Sequence, residues 1–310
     1  MNSSRCQCEQ ILASARDLGA CAAAFVELGE VDELNQQLYN QFIAEERHGG
    51  MDYLAKYDDV RRDPRLLLDG AKSMLCLAFA YHEPGMPSSS LFADYAIVND
   101  YHKVLRKLLK PLAAMMEELV PGSATRICID TAPLREKYWA ARAGLGFIGL
   151  NNLLIIPNIG SKLFLAEILW TANTEPNSTP KLNFHDCESC QRCVRACPGH
   201  ALDGRGGMDC RKCLSYLTIE NRNADCQPFR IPGSRVYGCD ICQNVCPHNH
   251  STQAAVIKEF SPDQRILGLT PEAILAMTDG EFAEIFAHSA VKRLGLNYLK
   301  RNVAFLERND

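Results

Sequence analysis

The sequence has no apolar run near the roughly 18–20 residues that a bilayer-spanning helix requires, so no membrane segment is expected. It also shows no export signal. Residues 1–10 are polar, with an acid at Glu9, and no basic start leads into an apolar stretch. Positive charge is not in excess: the formal net charge is −4, so any nucleic-acid affinity must come from a local patch. No internal repeat is long enough for a solenoid. What is plentiful is cysteine, 15 in 310 residues. Secretion would make these candidate disulfides, whereas clustered cysteines in a cytosolic chain more often bind metal. We read a cytoplasmic protein with reduced thiols.

The first 170 or so residues alternate helical and strand patterns. Amphipathic helices are expected over residues 9–19, 32–46, 101–119 and 134–143, and apolar strands over 20–26, 73–80, 126–130, 153–157 and 163–170. This order suggests an α/β layer domain. Residues 171–183, rich in Thr, Asn and Pro, read as a linker. Ten of the cysteines then fall between Cys187 and Cys246, and helical periodicity returns near Thr270. The expected division is an α/β domain over 1–175, a cysteine module over 176–255 and a C-terminal helical segment over 256–310.

Cys187, Cys190, Cys193 and Cys197, followed by Pro198, form a CxxCxxCxxxCP run. Such runs bind four-iron clusters, and the fourth cysteine serves the other cluster of a pair. A second, shorter run (CxxCxxxCP) comprises Cys239, Cys242, Cys246 and Pro247, with Cys213 the best candidate to complete it. The crossing rule gives one cluster Cys187, Cys190, Cys193 and Cys246. The other takes Cys213, Cys239, Cys242 and Cys197. Two [4Fe-4S] clusters are thereby fully ligated, Cys210 is surplus, and electron transfer is part of the function. Zinc ribbons are the alternative use of CxxC pairs. Cys6, Cys8, Cys21, Cys76, Cys128 and Cys226 read as ordinary thiols.

Two other motifs mislead. Gly144, Gly146 and Gly149 match GxGxxG, but a dinucleotide fold needs a strand before and a helix after, and here the order is reversed. Asp100-Tyr101-His102 begins like a cobalt-binding Asp-x-His-x-x-Gly motif, yet Leu105 replaces its glycine.

Residues 130–155 (DTAPLREKYWAARAGLGFIGLNNLLI), 213–221 (CLSYLTIEN) and 237–249 (YGCDICQNVCPHN) together resemble the epoxyqueuosine reductases. Weaker matches are Arg61-x-Asp63-Pro64, Asp100-Tyr101-His102 and residues 289–302, so the resemblance covers most of the chain. It implies a mixed α/β (α+β) corrinoid-binding domain beside a ferredoxin-like module. The implied reaction reduces epoxyqueuosine to queuosine in the anticodon (GUN) of transfer RNA, with two electrons and two protons and water leaving. It implies base-off cobalamin without a protein histidine ligand, an external low-potential electron donor, and a monomer.

The resemblance makes Asp130 the candidate proton donor, a role that calls for a carboxyl pKa raised by its surroundings. From the residues alone, Asp130 reads more readily as a helix cap, and the resemblance reverses that preference. His102 is the second catalytic candidate. Arg61, Asn152 and Ser215 join Asp130 as candidate corrinoid contacts. The chain departs from the family at Leu150, where a lysine is common, and ends before the helical-repeat domain of longer members. RNA contact then falls to Lys292, Arg293, Lys300 and Arg301, with Lys103, Arg106, Lys107 and Lys110 as a second basic face. Two other functions stay open: a corrinoid reductase of a small molecule such as an organohalide, and a plain two-cluster electron carrier.

Overall fold

A computed structural model of the chain describes residues 3–174, 185–222, 235–250 and 257–307. Most of the expected linker, and Cys226, lie outside these residues.

The first unit is a four-stranded sheet in the order β1-β2-β6-β3. Its strands are β1 (Ala22–Glu27), β2 (Ser73–Ala80), β3 (Thr125–Cys128) and β6 (Leu163–Trp170). Every neighbouring pair is antiparallel, with Ser73 opposite Trp170 and Thr125 opposite the same residue. The β2 run SMLCLAFA is buried at every position. Its alternate residues serve two cores: Leu75, Leu77 and Phe79 face one, and Met74, Cys76 and Ala78 face the other. Continuous apolarity therefore reports that both faces are covered and does not reveal strand direction.

Helices α1 (Ser3–Asp17), α2 (Glu33–Ala44), α3 (Asp58–Arg62), α4 (Tyr101–Leu119) and α5 (Glu136–Arg142) cover the sheet. In α4, the Asp100 carboxylate caps the start by accepting from the His102 amide. Leu105, Leu109, Leu112 and Met116 recur at helical spacing and are buried on the sheet. This places the N-terminus of α4 beside the end of β3.

The expected strand over 153–157 becomes one arm of a small hairpin, β4 (Phe147–Ile148) with β5 (Leu154–Ile155), outside the main sheet. The GxGxxG glycines form its approach and turn. A Cβ on Gly146 would lie 2.2 Å from the Ile155 carbonyl oxygen, so close backbone packing accounts for that glycine without a dinucleotide.

Short helices α6 (His185–Cys190), α7 (Arg192–Ala196), α8 (Leu214–Ile219) and α9 (Ile241–Asn244) carry the cysteine module. It docks on the start of β6: the Ser161 amide donates to Asn249 Oδ1 at 2.7 Å, and Asn249 Nδ2 donates to Ser161 Oγ at 3.0 Å. Helices α10 (Gln264–Leu267), α11 (Pro271–Ala276), α12 (Asp279–Ile285) and α13 (Leu296–Glu307) close the chain. They share the first unit's core, with Phe260, Phe286, Leu299 and Val303 packed among Phe79, Phe92 and Leu105.

Candidate active site

Beyond the end of β3, Asp130 adopts a left-handed backbone (φ 53°), rare for a residue other than glycine and costly unless its surroundings hold it. Its amide donates to Glu136 Oε1 at 2.6 Å, and its Oδ2 lies 3.0 Å from His102 Nε2. His102 Nδ1 lies 2.8 Å from Asp100 Oδ1, so the imidazole bridges two carboxylates. Tyr101 stacks on His102 at 4.1 Å and on Phe164 at 4.3 Å, which fixes the start of α4.

The electrostatics depart from the sequence expectation. Desolvation pushes the Asp130 carboxyl upward, but the His102 hydrogen bond and charge, the Tyr101 hydroxyl and the Arg293 charge outweigh it. Asp130 is held below the ordinary carboxylate range. The proton resides instead on His102. Burial alone would lower that imidazole, yet Asp100 and Asp130 push it up to about 9. Glu136 moves the other way, raised to about 7 by burial and then by the Asp130 charge.

Asp130 is 55 % exposed and opens onto a shared face. Tyr53 belongs to that face and feels the charges of Glu220, Asp130, Arg293 and Cys210. The cysteine module reaches it through Tyr216, whose hydroxyl accepts from the Gly50 amide at 2.6 Å. Arg61 is buried just behind, its Nη2 donating to the Tyr53 carbonyl at 3.2 Å. Ser215 is half-buried in the first turn of α8. Asn152, also left-handed (φ 60°), accepts from Lys137 Nζ through its carbonyl at 2.6 Å and its side chain at 3.2 Å.

The thiols fall into two neighbourhoods. Cys246 feels the charges of Cys187, Cys193 and Cys190. Cys242 feels Cys239 and Cys213, and Cys213 feels Cys197. Cys193 also reaches Cys242, so the two groups adjoin. Cys210 is buried between Cys213 and Lys137. Among the described residues, no three His, Cys, Asp or Glu side chains gather tightly enough to grip a single ion.

The four C-terminal cations divide. Lys292 is exposed and Lys300 half-exposed. Arg293 is paired with Glu220 beside the active face. Arg301 donates to the Asn221 carbonyl at 2.9 Å and lies 4.8 Å from the Tyr298 ring centroid. On the other side of the Asp130 loop, Arg106, Lys110 and Arg126 line a groove that reaches Thr131 and Pro133.

Comparison with known proteins places the chain among relatives. Residues 61–131 match the model described as "Epoxyqueuosine reductase QueG, DUF1730", and residues 186–249 match a 4Fe-4S double cluster binding domain. An epoxyqueuosine reductase of Gloeobacter violaceus is 36 % identical over 304 residues, covering 94 % of this chain and 93 % of its own. The chain belongs to the epoxyqueuosine reductase family. A crystal structure of an epoxyqueuosine reductase with an epoxyqueuosine-modified tRNA-Tyr stem loop superposes with a TM-score of 0.82 at 28 % identity, covering 97 % of this chain and 80 % of that one. The Bacillus subtilis member, also 28 % identical, has a TM-score of 0.81 and covers 97 % of this chain, with 81 % of its own length matched. That structure shows its catalytic aspartate loop swung out of the active site.

Sequence reasoning missed Asp100 as the second carboxylate on His102, and missed Glu136 and Glu167 altogether. Glu167 had a signal: it is the lone charge in the apolar strand LFLAEILW.

Proposed function

We infer that this chain reduces epoxyqueuosine to queuosine in transfer RNA. The observation that carries the reading is the Asp100–His102–Asp130 chain at an open face shared with a double-cluster module, in a chain matching family members over nearly its whole length. Opening the epoxide to an alkene breaks two carbon–oxygen bonds, consumes two electrons and two protons, and releases water. With both clusters in place, electrons from a donor outside the chain would enter through them. The first cluster is assigned to Cys187, Cys190, Cys193 and Cys246, the second to Cys213, Cys239, Cys242 and Cys197. The two thiol neighbourhoods support that assignment.

Protons enter through His102 and Asp130. The imidazolium proton on Nε2 passes along the 3.0 Å hydrogen bond to Asp130 Oδ2, and Asp130 delivers it to the epoxide oxygen. Asp130 thus acts as donor through its partner, which removes the need for a raised carboxyl pKa. Residues 129–133 are the counterpart of the loop that swings in the B. subtilis relative.

The same face suits a corrinoid. Arg61 Nε, His48 Nδ1 and Asn151 Nδ2 are buried and lack hydrogen-bond partners among the described residues, and the amide-rich rim of a corrinoid offers such partners. Arg61, Asn152, Ser215 and Asp130 are its assigned contacts. Both His102 nitrogens are occupied by carboxylates, which supports base-off cobalamin without a histidine ligand. When bound, cobalamin supplies the low-valent metal chemistry that accepts electrons one at a time and breaks the carbon–oxygen bond. Lys292 and Lys300, with the groove of Arg106, Lys110 and Arg126, are assigned to RNA phosphates. We place the reaction in the cytoplasm with its transfer RNA substrate, carried out by a monomer.

The test is nucleoside mass spectrometry after incubating reconstituted protein, cobalamin and a low-potential reductant with transfer RNA carrying epoxyqueuosine. Cobalamin-dependent appearance of queuosine is expected, and Asp130→Asn should abolish it while cluster content and corrinoid binding persist. Failure by wild-type protein shown to hold both clusters and the corrinoid would refute the reading.

A further inference from the structure

Glu167 lies in the middle of β6, fully buried, opposite Cys76 on β2 and Cys128 on β3. Neither carboxyl oxygen has a hydrogen-bond partner if both it and Glu136 are taken as ionised. Yet the Glu136 carboxyl faces it at hydrogen-bonding range. Two carboxylates are acceptor against acceptor, so this contact becomes a hydrogen bond only when one of them holds a proton. On its other side Glu136 Oε1 accepts the amide of Asp130, the residue with the strained backbone. The order from sheet to surface is therefore Glu167, Glu136, the Asp130 amide, the Asp130 carboxylate and His102.

A buried carboxyl in an apolar strand is costly, and an apolar residue of similar size would pack there more cheaply. Retaining it makes sense if it does something to Glu136. Resting on the reading of Asp130 as proton donor, we propose that Glu136 and Glu167 share one proton and act as a positioning pair that latches the Asp130 loop into the active site. With the proton on Glu167, its O–H donates to Glu136. The Glu136 carboxylate is then free to accept the Asp130 amide as a charge-assisted bond, stronger than a neutral one. With both acids protonated, that bond weakens and the loop loosens.

The surrounding groups fit the direction. Glu136 is pushed up by burial and by Asp130, and down by Lys137 on its own helix and by His102 from α4. Tyr101 of α4, Cys76 of β2 and Cys128 of β3 also face it. Glu167 is pushed well up by burial and by Glu136, with Asp130 adding to it. Glu136 is thus the first of the two acids to ionise, and it does so near pH 7. The latch tightens as pH rises through that value.

Amide hydrogen exchange of the peptide covering residues 129–133, corrected for intrinsic rates, reads the latch without substrate. In the wild type its protection should rise between pH 6 and pH 8. Glu136→Ala should speed exchange by about 10-fold to 100-fold, the loss expected for a hydrogen bond to a charged group. Glu136→Gln keeps an acceptor and should restore much of that protection but lose its pH dependence. Glu167→Gln, whose amide can donate to Glu136, should hold the latch closed at pH 6 as well. The pH profile of queuosine formation should follow, with an inflection near 7 that disappears in Glu136→Gln. Wild-type exchange in Glu136→Ala, or an inflection retained in Glu136→Gln, would overturn the proposal. The exchange arm decides the pair whether or not the wild type converts substrate, so failure of the functional reading is told apart from failure of the latch.

Discussion

His102→Gln isolates the charge bridge at the active face. The imidazole has a folded-state pKa of about 9, raised above its ordinary value because Asp100 and Asp130 grip it from both sides. A raised value means the stabilisation is complete below about 6.5, the value of an unperturbed histidine, and is lost as pH climbs through 9. The gap of roughly 2.5 units corresponds to about 3 kcal/mol at about 1.4 kcal/mol per unit. Asp130 is 55 % exposed, so solvent screening reduces this to about 1–2 kcal/mol. Trp139 and Trp170, the chain's two tryptophans, are both 1 % exposed and report unfolding of this unit by fluorescence. In urea titrations the wild type should exceed His102→Gln by about 1–2 kcal/mol at pH 6, and the margin should vanish by pH 10. A margin unchanged across that range would show that His102 holds no extra proton.

Three further substitutions probe the frame. Cys210→Ala should leave iron content and visible absorbance unchanged, and loss of iron would mean that Cys210 is a ligand in place of Cys213. Gly160 has φ 98°, and a Cβ there would lie 2.1 Å from Asn249 Oδ1 and 2.9 Å from the His248 carbonyl oxygen. Gly160→Ala should therefore cost about 2–3 kcal/mol in urea and speed cluster loss in air. Lys162 pairs with Asp94, which is 2 % exposed, so Lys162→Met strands a buried charge and should cost about 3–5 kcal/mol. The double variant with Asp94→Asn should regain much of that in a thermal melt.

Strong local signals carried much of the fold. β2, β6 and α4 lie where alternation, apolar runs and helical periodicity place them, because each is long and buried along most of one face or both. Strand direction was not legible, since a strand buried on both faces reads the same in parallel and antiparallel sheets. The run at 153–157 does form a strand, but apolarity marks burial and does not say which sheet a strand joins. At the site, cysteine spacing suggests the cluster framework because closely spaced ligands of one short run must wrap corners of a cube while the other run supplies the remaining ligand. The His102–Asp130 bridge joins residues 28 apart in sequence, so no local pattern encodes it. Its consequence, a proton on the imidazole and not on the carboxyl, depends on geometry alone. The basic residues of the closing segment were grouped as one RNA surface because charge is visible in sequence and pairing is not. Arg293 is exposed but paired with Glu220, and the half-buried Arg301 donates to the Asn221 carbonyl.

Those pairings bear on how the proposed reaction is assembled. Arg293 salt-bridges Glu220 just past α8, while Asn302 Nδ2 donates at 2.8 Å to both the Thr218 and the Val236 carbonyls. The closing helices thus tie down the segment that follows Cys213 and the one that precedes Cys239, the two stretches assigned to the second cluster. Arg293 also favours the anionic form of Asp130. One residue of the closing segment therefore bears on both sides: Arg293 holds Glu220 just past α8, and it favours the anionic form of Asp130, the proposed proton donor. In the proposed reaction the sheet side would supply protons through His102 and Asp130 and the cysteine module would supply electrons, and Tyr53 feels charges from both. Keeping the two supplies on separate elements allows each to be tuned without disturbing the other. It also makes their relative placement depend on the closing helices, whose contribution is then geometry at the active face before it is affinity for RNA.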